Sequence, residues 1–277
     1  MTRYQILLFP TLAAAIFALG GALQQKPAAP QAPPSTAPSA ANDPQALEVL
    51  DQAAAALAPE HVAWLETKVW QNVCCEDFAY QACGRLVMAP GDRSRFDLNV
   101  KVGSSLGELR LVNDGKTVWQ SVRIGGGDTA VKRWDMPVID ESITTPAALA
   151  QARAQFMQAQ GVAGLAPMLR TMRQSMQNTQ LRRTQWHGQE VQVITAAWPS
   201  NAALAGAAEV VPPRMAIRQC RVYLDAATLW PHRVEWWGGS GPGKPDQLVM
   251  ETEYRSPVLN QVLSEERCAA EFTFGGT

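Results

Sequence analysis

The chain has 277 residues, 47% of them hydrophobic, and a formal net charge of −1. That length and apolar content suit one large domain, or one domain with tails, and the near-neutral balance excludes the electrostatic footprint of a nucleic-acid binder. Nine Trp against four Tyr are read first as sheet and core packing, where large aromatics usually sit.

Residues 1–23 read as an export segment. Arg3 supplies a positive start, residues 6–23 are uncharged and mostly apolar, and Ala18, Gly20 and Ala22 offer small residues for cleavage. No Cys is present there to carry a lipid. The apolar run is also near the ~17–25 residues that a membrane-spanning helix needs, so an uncleaved anchor is the alternative to a removed signal. Residues 24–42 are rich in Pro, Ala and Ser. They bury too little apolar surface to fold and read as a spacer.

A folded domain is expected over residues 43–277. Asp43 as N-cap and Pro44 at the first helical position open a helix whose Leu47, Leu50, Ala54 and Leu57 share a face, and Pro59 closes it. Strand signals follow over 62–73 and 78–88. Phe96, Leu98, Val100 and Val102 then alternate with Arg95, Asp97, Asn99 and Lys101. Between the apolar arms of 108–121, Asn113-Asp114-Gly115 marks a tight hairpin turn, where Gly supplies positive φ without steric cost. A short strand is expected at 131–134. Helical patterns occupy 146–160 and 164–177. Strand patterns return at 181–186, 190–198, 215–224, 232–237, 248–255 and, last, 272–274. Short strands with regular turn signals predict a meander curling into a barrel or half-barrel.

The chemistry-bearing motifs are few. Gly238 to Lys244 nearly matches a phosphate-cradling loop, but Pro245 stands where the hydroxyl is required and a strand pattern, not a helix, follows. His61, His187 and His232 are scattered, and no nucleophile elbow or zinc-protease pattern occurs. No catalysis, cofactor or metal is expected. The five Cys of an exported chain suggest disulfides. If 62–73 and 78–88 form a hairpin, Cys83 falls across from Cys74 or Cys75. Cys220 with Cys268 would make a second pair.

Leu165, Met168, Leu169, Met172 and Met176 form one stripe at helical spacing. Methionine suits surfaces that adapt to variable apolar partners, while the same spacing also suits a permanently buried core stripe.

Three stretches resemble the periplasmic lipoprotein-carrier (LolA-like) family: the hairpin Leu111-Val112-Asn113-Asp114-Gly115-Lys116-Thr117-Val118-Trp119; Gly84 to Pro90 followed by Arg95-Phe96; and the ending, with Val222-Tyr223-Leu224-Asp225, Trp230 to Val234 and Glu271-Phe272-Thr273-Phe274. The resemblance implies an α+β, mainly β fold, a half-open antiparallel barrel with a helical lid over an apolar cavity. It implies a periplasmic protein that shields lipid or lipoprotein acyl chains, with a membrane-protein donor or acceptor as partner. On this reading Phe96, Leu98, Val100 and Trp119 line the cavity from the sheet, and the 165–176 stripe lines it from the lid. Family members place an Arg before the Pro, where it holds the lid. Here Ala89 occupies that place, with Arg93 or Arg95 as substitutes. The alternative is a membrane-tethered sensor or interaction module that uses the same half-barrel to recognise a protein segment by strand addition or by its groove.

Overall fold

The computed structural model describes residues 41–58, 60–75, 78–135, 164–198, 216–239 and 245–275. The helix read at 146–160 lies outside them, as do residues 1–40.

Helix α1 spans Pro44–Ala56. Asp43 caps it through Oδ1, which accepts from the Gln45 N–H at 2.9 Å. It buries Ala46, Val49, Leu50, Ala53 and Ala54. Six strands then run as a meander: β1 (Leu65–Cys75), β2 (Phe78–Ala89), β3 (Arg93–Val102), β4 (Ser105–Asp114), β5 (Thr117–Ile124) and β6 (Ala130–Asp135). Helix α2 spans Leu165–Ser175. A second meander follows: β7 (Gln177–Trp186), β8 (Gln189–Ala197), β9 (Ala216–Asp225), β10 (Pro231–Gly239) and β11 (Gln247–Leu259), with a short helix α3 (Glu265–Glu271). The glycine-rich stretch after β10 therefore joins two paired antiparallel strands.

The eleven strands form one open sheet in the order β6-β5-β4-β3-β2-β1-β11-β10-β9-β8-β7. Flat, eleven strands at about 4.8 Å spacing would span roughly 50 Å. Yet one apolar cluster joins Val118 on β5, Ile194 on β8 and both α1 and α2, so the sheet curls around the helices. The face toward the helices is the inner face.

Local sequence explains the key joints. In the β4–β5 turn, Asp114 Oδ1 accepts from the N–H groups of Lys116 and Thr117 at 2.8 and 2.7 Å, and Gly115 takes φ of 90°. Asn113 Nδ2 donates to the Asp92 carbonyl at 2.6 Å, tying this turn to the β2–β3 turn. At the start of α2, Gly164 has φ of 81°, and a Cβ there would run into the Met88 side chain on β2.

The C-terminal stretch departs from expectation. Phe272-Thr273-Phe274 is not a strand; it follows α3, which Ser264 caps by accepting from the Arg267 N–H at 3.3 Å. It lies against the outer face. Phe272 packs edge-on to Trp64 at 6.0 Å within a small cluster with Val87 and Ala89, and Phe274 stacks on Trp119 at 5.9 Å.

Candidate functional site

The inner face is built by register. β-Strand alternation sends every second side chain inward, and the pairings align Thr67, Leu86, Phe96 and Leu111 in one row and Val69, Leu98 and Leu109 in the next. On the other side of β1, Tyr254, Val234 and Val222 continue the same face. Trp236 joins them and meets Trp198 edge-on at 4.8 Å.

Helix α2 roofs this floor. Leu165, Met168, Leu169, Met172 and Met176 are all buried, at 3% exposure or less, in the same cluster as the floor. Their contacts fix where the roof sits: Gly164 rests on Met88 of β2, and the Tyr254 hydroxyl of β11 donates to Met168 Sδ at 3.6 Å. Helix α1 packs against α2 and reaches β7. Arg173 Nε bridges to Asp51 Oδ1 at 3.1 Å across the helix pair.

The expected sheet residues divide. Phe96, Leu98 and Val100 belong to the inner floor with the α2 stripe, Phe96 half-buried and the other two buried. Trp119 does not. It pairs with Val112 on the opposite face and stacks on Phe274. A single step in alternation exchanges the two faces, and the hairpin carries apolar residues on both.

Arg93 and Arg95 also act on the outer face. Arg93 Nε donates to the Pro90 carbonyl at 2.8 Å, and its guanidinium lies 5.5 Å from the Phe272 ring. Arg95 bonds Asp97 Oδ2 at 2.7 Å and the Glu271 carbonyl at 3.0 Å. Arg85 adds a 2.5 Å bond to Glu271. These arginines thus hold the C-terminal strap.

The expected disulfides are corrected. Cys83 pairs across from Trp70, and Cys74 from Ala79, so register separates the two thiols. Cys220 lies in the inner core whereas Cys268 packs with the outer cluster, so the sheet stands between them. Cys74, Cys83, Cys220 and Cys268 are free. Burial pushes the Cys220 thiol well above its ordinary pKa, which removes the thiolate needed for reaction.

Two features of the site escaped sequence reading. The first is the wall from β9, β10 and β11, although Val222 and Leu224, and Val234 and Trp236, alternate visibly. The second is a polar chain across the floor. The Tyr80 hydroxyl donates to Gln71 Oε1 at 2.7 Å, and Gln71 Nε2 donates to Thr252 Oγ1 at 3.2 Å. All three residues are buried, so the bonds offset the cost of placing polar groups there.

Among the described residues this face brings together no paired nucleophile and base. Burial pushes the Tyr254 phenol above its ordinary pKa, so it stays a neutral donor. His232 approaches Asp225 at 3.4 Å, but beside Trp186 at the β7–β8 end rather than in the core. Among the described residues no group of three or more His, Cys, Asp and Glu side chains is placed to hold a metal, and no helix is long and apolar enough to cross a membrane. What the inner face offers is shaped apolar surface with a few satisfied polar groups.

No family model and no curated protein matches the chain. Similar solved structures include LprF from Mycobacterium bovis, at 13% identity and a TM-score of 0.41 over 81% of this chain and 97% of that one. The lipoprotein LppX from Mycobacterium tuberculosis is similar at 12% identity and a TM-score of 0.36, over 80% and 99%. A putative outer-membrane lipoprotein-sorting domain from Vibrio parahaemolyticus is similar at 10% identity and a TM-score of 0.28, over 79% and 94%. Identities of this order assign no ligand and no residue role. The architecture itself, an open, curled, eleven-stranded antiparallel sheet among the described residues that holds its helices against one face, is the half-open form that the sequence resemblance implies.

Proposed function

We propose that the chain is an exported, non-enzymatic binding protein that shields lipid or lipoprotein acyl chains against the inner face of its half-barrel. One observation carries this reading. The apolar floor continues beyond its sealed centre to Phe96, Val102, Val122 and Trp134 on β3, β5 and β6, which are only half-buried. Half-exposed apolar side chains on a curved floor still gain by burial, and each methylene of an acyl chain gains about 0.8 kcal/mol on leaving water. The methionines of α2 supply side chains that can repack around a guest.

The test is a mass spectrum of the organic extract of protein purified without detergent, together with titration of a fluorescent fatty acid. Co-purified lipid and saturable uptake are expected. Absence of both overturns the reading.

A further inference from the structure

The two edges of the open sheet differ, and β7 is the one prepared for a partner. Its first part is already capped by the chain itself. The Asp43 N–H donates to the Thr179 carbonyl at 3.1 Å. Thr179 N–H donates to Asn42 Oδ1 at 3.2 Å, and Leu181 N–H to Asp43 Oδ2 at 3.3 Å. The N–H groups of Thr179 and Leu181 therefore point away from β8. The β7–β8 register is unbroken from Gln180 to Trp186, so alternation turns the N–H groups of Arg183 and Gln185 the same way. Among the described residues no strand pairs with this edge.

We propose that β7 from Arg182 to Trp186 is a docking edge for an extended acidic segment of another protein, added antiparallel or parallel as one more strand. Charge selects the occupant. Arg182 and Arg183 are adjacent and exposed, and among the described residues neither side chain has a hydrogen-bond or ion-pair partner. The nearest carboxylate in register is exposed Glu190, opposite Gln185 at the far end. On the other edge, β6, Arg133 pairs with Asp135 at 2.9 Å, which leaves Lys132 as its one unpaired charge among the described residues.

In the neighbouring cap the Leu181 N–H is met by the Asp43 carboxylate and the Thr179 N–H by the Asn42 amide oxygen. The spacer leading to that cap is a poor occupant. Residues 24–41 carry Lys26 and no acid, and Pro27, Pro30, Pro33, Pro34 and Pro38 lack the N–H that a ladder needs. A second copy of β7 is disfavoured too, because it would set arginines against arginines. Backbone bonds provide the binding and the arginine pair provides its sign, as in other strand-addition interfaces.

The experiment uses the full chain and a fluorescein-labelled Glu–Val peptide in which Glu-Glu and Val-Val pairs alternate, so that acidic side chains lie on both faces and can meet both Arg182 and Arg183. Four further samples accompany it: the same peptide N-methylated throughout, a Lys–Val counterpart, and the protein variants R182E/R183E and R182E. Saturable binding of the Glu–Val peptide is expected. Charge reversal should weaken it by about tenfold or more, as two surface pairs become repulsive, and N-methylation should abolish it. In the single variant R182E, at a position that alternation places with Val193 on the outer face, fatty-acid uptake should be unchanged. No saturable binding, equal binding of the Lys–Val peptide, or insensitivity to either N-methylation or charge reversal would overturn the proposal.

Discussion

The inner floor is sealed over the middle of β8, β9 and β10 and half-open along parts of β3, β5 and β6. Leu98 on β3 and Val118 on β5 are nonetheless buried, and Leu181 on β7 and Ile217 on β9 are only partly so. On β8, β9 and β10, Ile194, Val222 and Val234 are 0% exposed. On β3, β5 and β6, Phe96, Val122 and Trp134 are only partly buried. Both regions carry the same class of side chain, so composition does not separate them. What separates them is how completely the protein's own groups cover each one. A fully covered side chain has given its transfer free energy to folding, whereas a half-covered one keeps part of it for a guest.

The sharpest way to break this contrast is to cut into the sealed roof. Leu169 is 0% exposed, and Leu169→Ala leaves a cavity that neighbours only partly fill. A loss of about 2–5 kcal/mol is expected. It would be seen as a lower urea midpoint with an unchanged slope. A loss below about 1 kcal/mol would show that the roof is loose and that both regions of the floor are alike.

A smaller effect tests whether the outer strap belongs to the binding face. Arg95→Ala removes bonds to Asp97 and to the Glu271 carbonyl. The Arg95 side chain is 15% exposed. The expected cost is about 1–2 kcal/mol, in the range for partly buried charge-assisted bonds. Fatty-acid affinity should stay at the wild-type value. A large loss of uptake without unfolding would return Arg95 to the role of a lid latch.

Val122→Ala then probes the half-open region. Removing two methyl-sized groups at a half-buried site should cost about 1 kcal/mol or less in stability. If acyl chains lie on this part of the floor, their affinity should fall by about threefold to tenfold, the loss expected for about 1 kcal/mol of apolar contact. Calorimetric unfolding and fatty-acid titration on one sample separate the two quantities.

Local chemistry was legible in the sequence; long-range register was not. Asn113-Asp114-Gly115 announced its hairpin because the turn is satisfied by its own side chains. The 165–176 stripe announced a helix with one buried face. Helix α3 stayed hidden because its seven residues bury no side chain, so no apolar period marks it. Phe272 and Phe274 alternate like a strand, yet their partners are Trp64 and Trp119, distant in sequence. The same distance hid the face of Trp119. The disulfide reading failed on register in one pair and on sides of the sheet in the other: the β1–β2 pairing sets Cys83 against Trp70, and Cys220 and Cys268 lie on opposite faces. Which side of a sheet lies inward, and where a strand begins to pair, are settled by contacts between residues far apart in the chain.

The smallest expected effect concerns how the two helices are joined. Arg173 and Asp51 link α2 to α1 at 3.1 Å, but their side chains are 41% and 54% exposed. Water competes for both charges, and ordering two side chains offsets most of the attraction. Arg173→Ala should therefore lower stability by no more than about 0.5 kcal/mol, and the effect should vanish in high salt. The apolar contacts of α2 are what hold it down, since Leu165, Leu169 and Met172 are buried on its other side. If Arg173→Ala instead raised fatty-acid uptake several-fold with unchanged stability, the ion pair would be a catch on a mobile roof, and the sealed region of the floor would be sealed by charge rather than by packing.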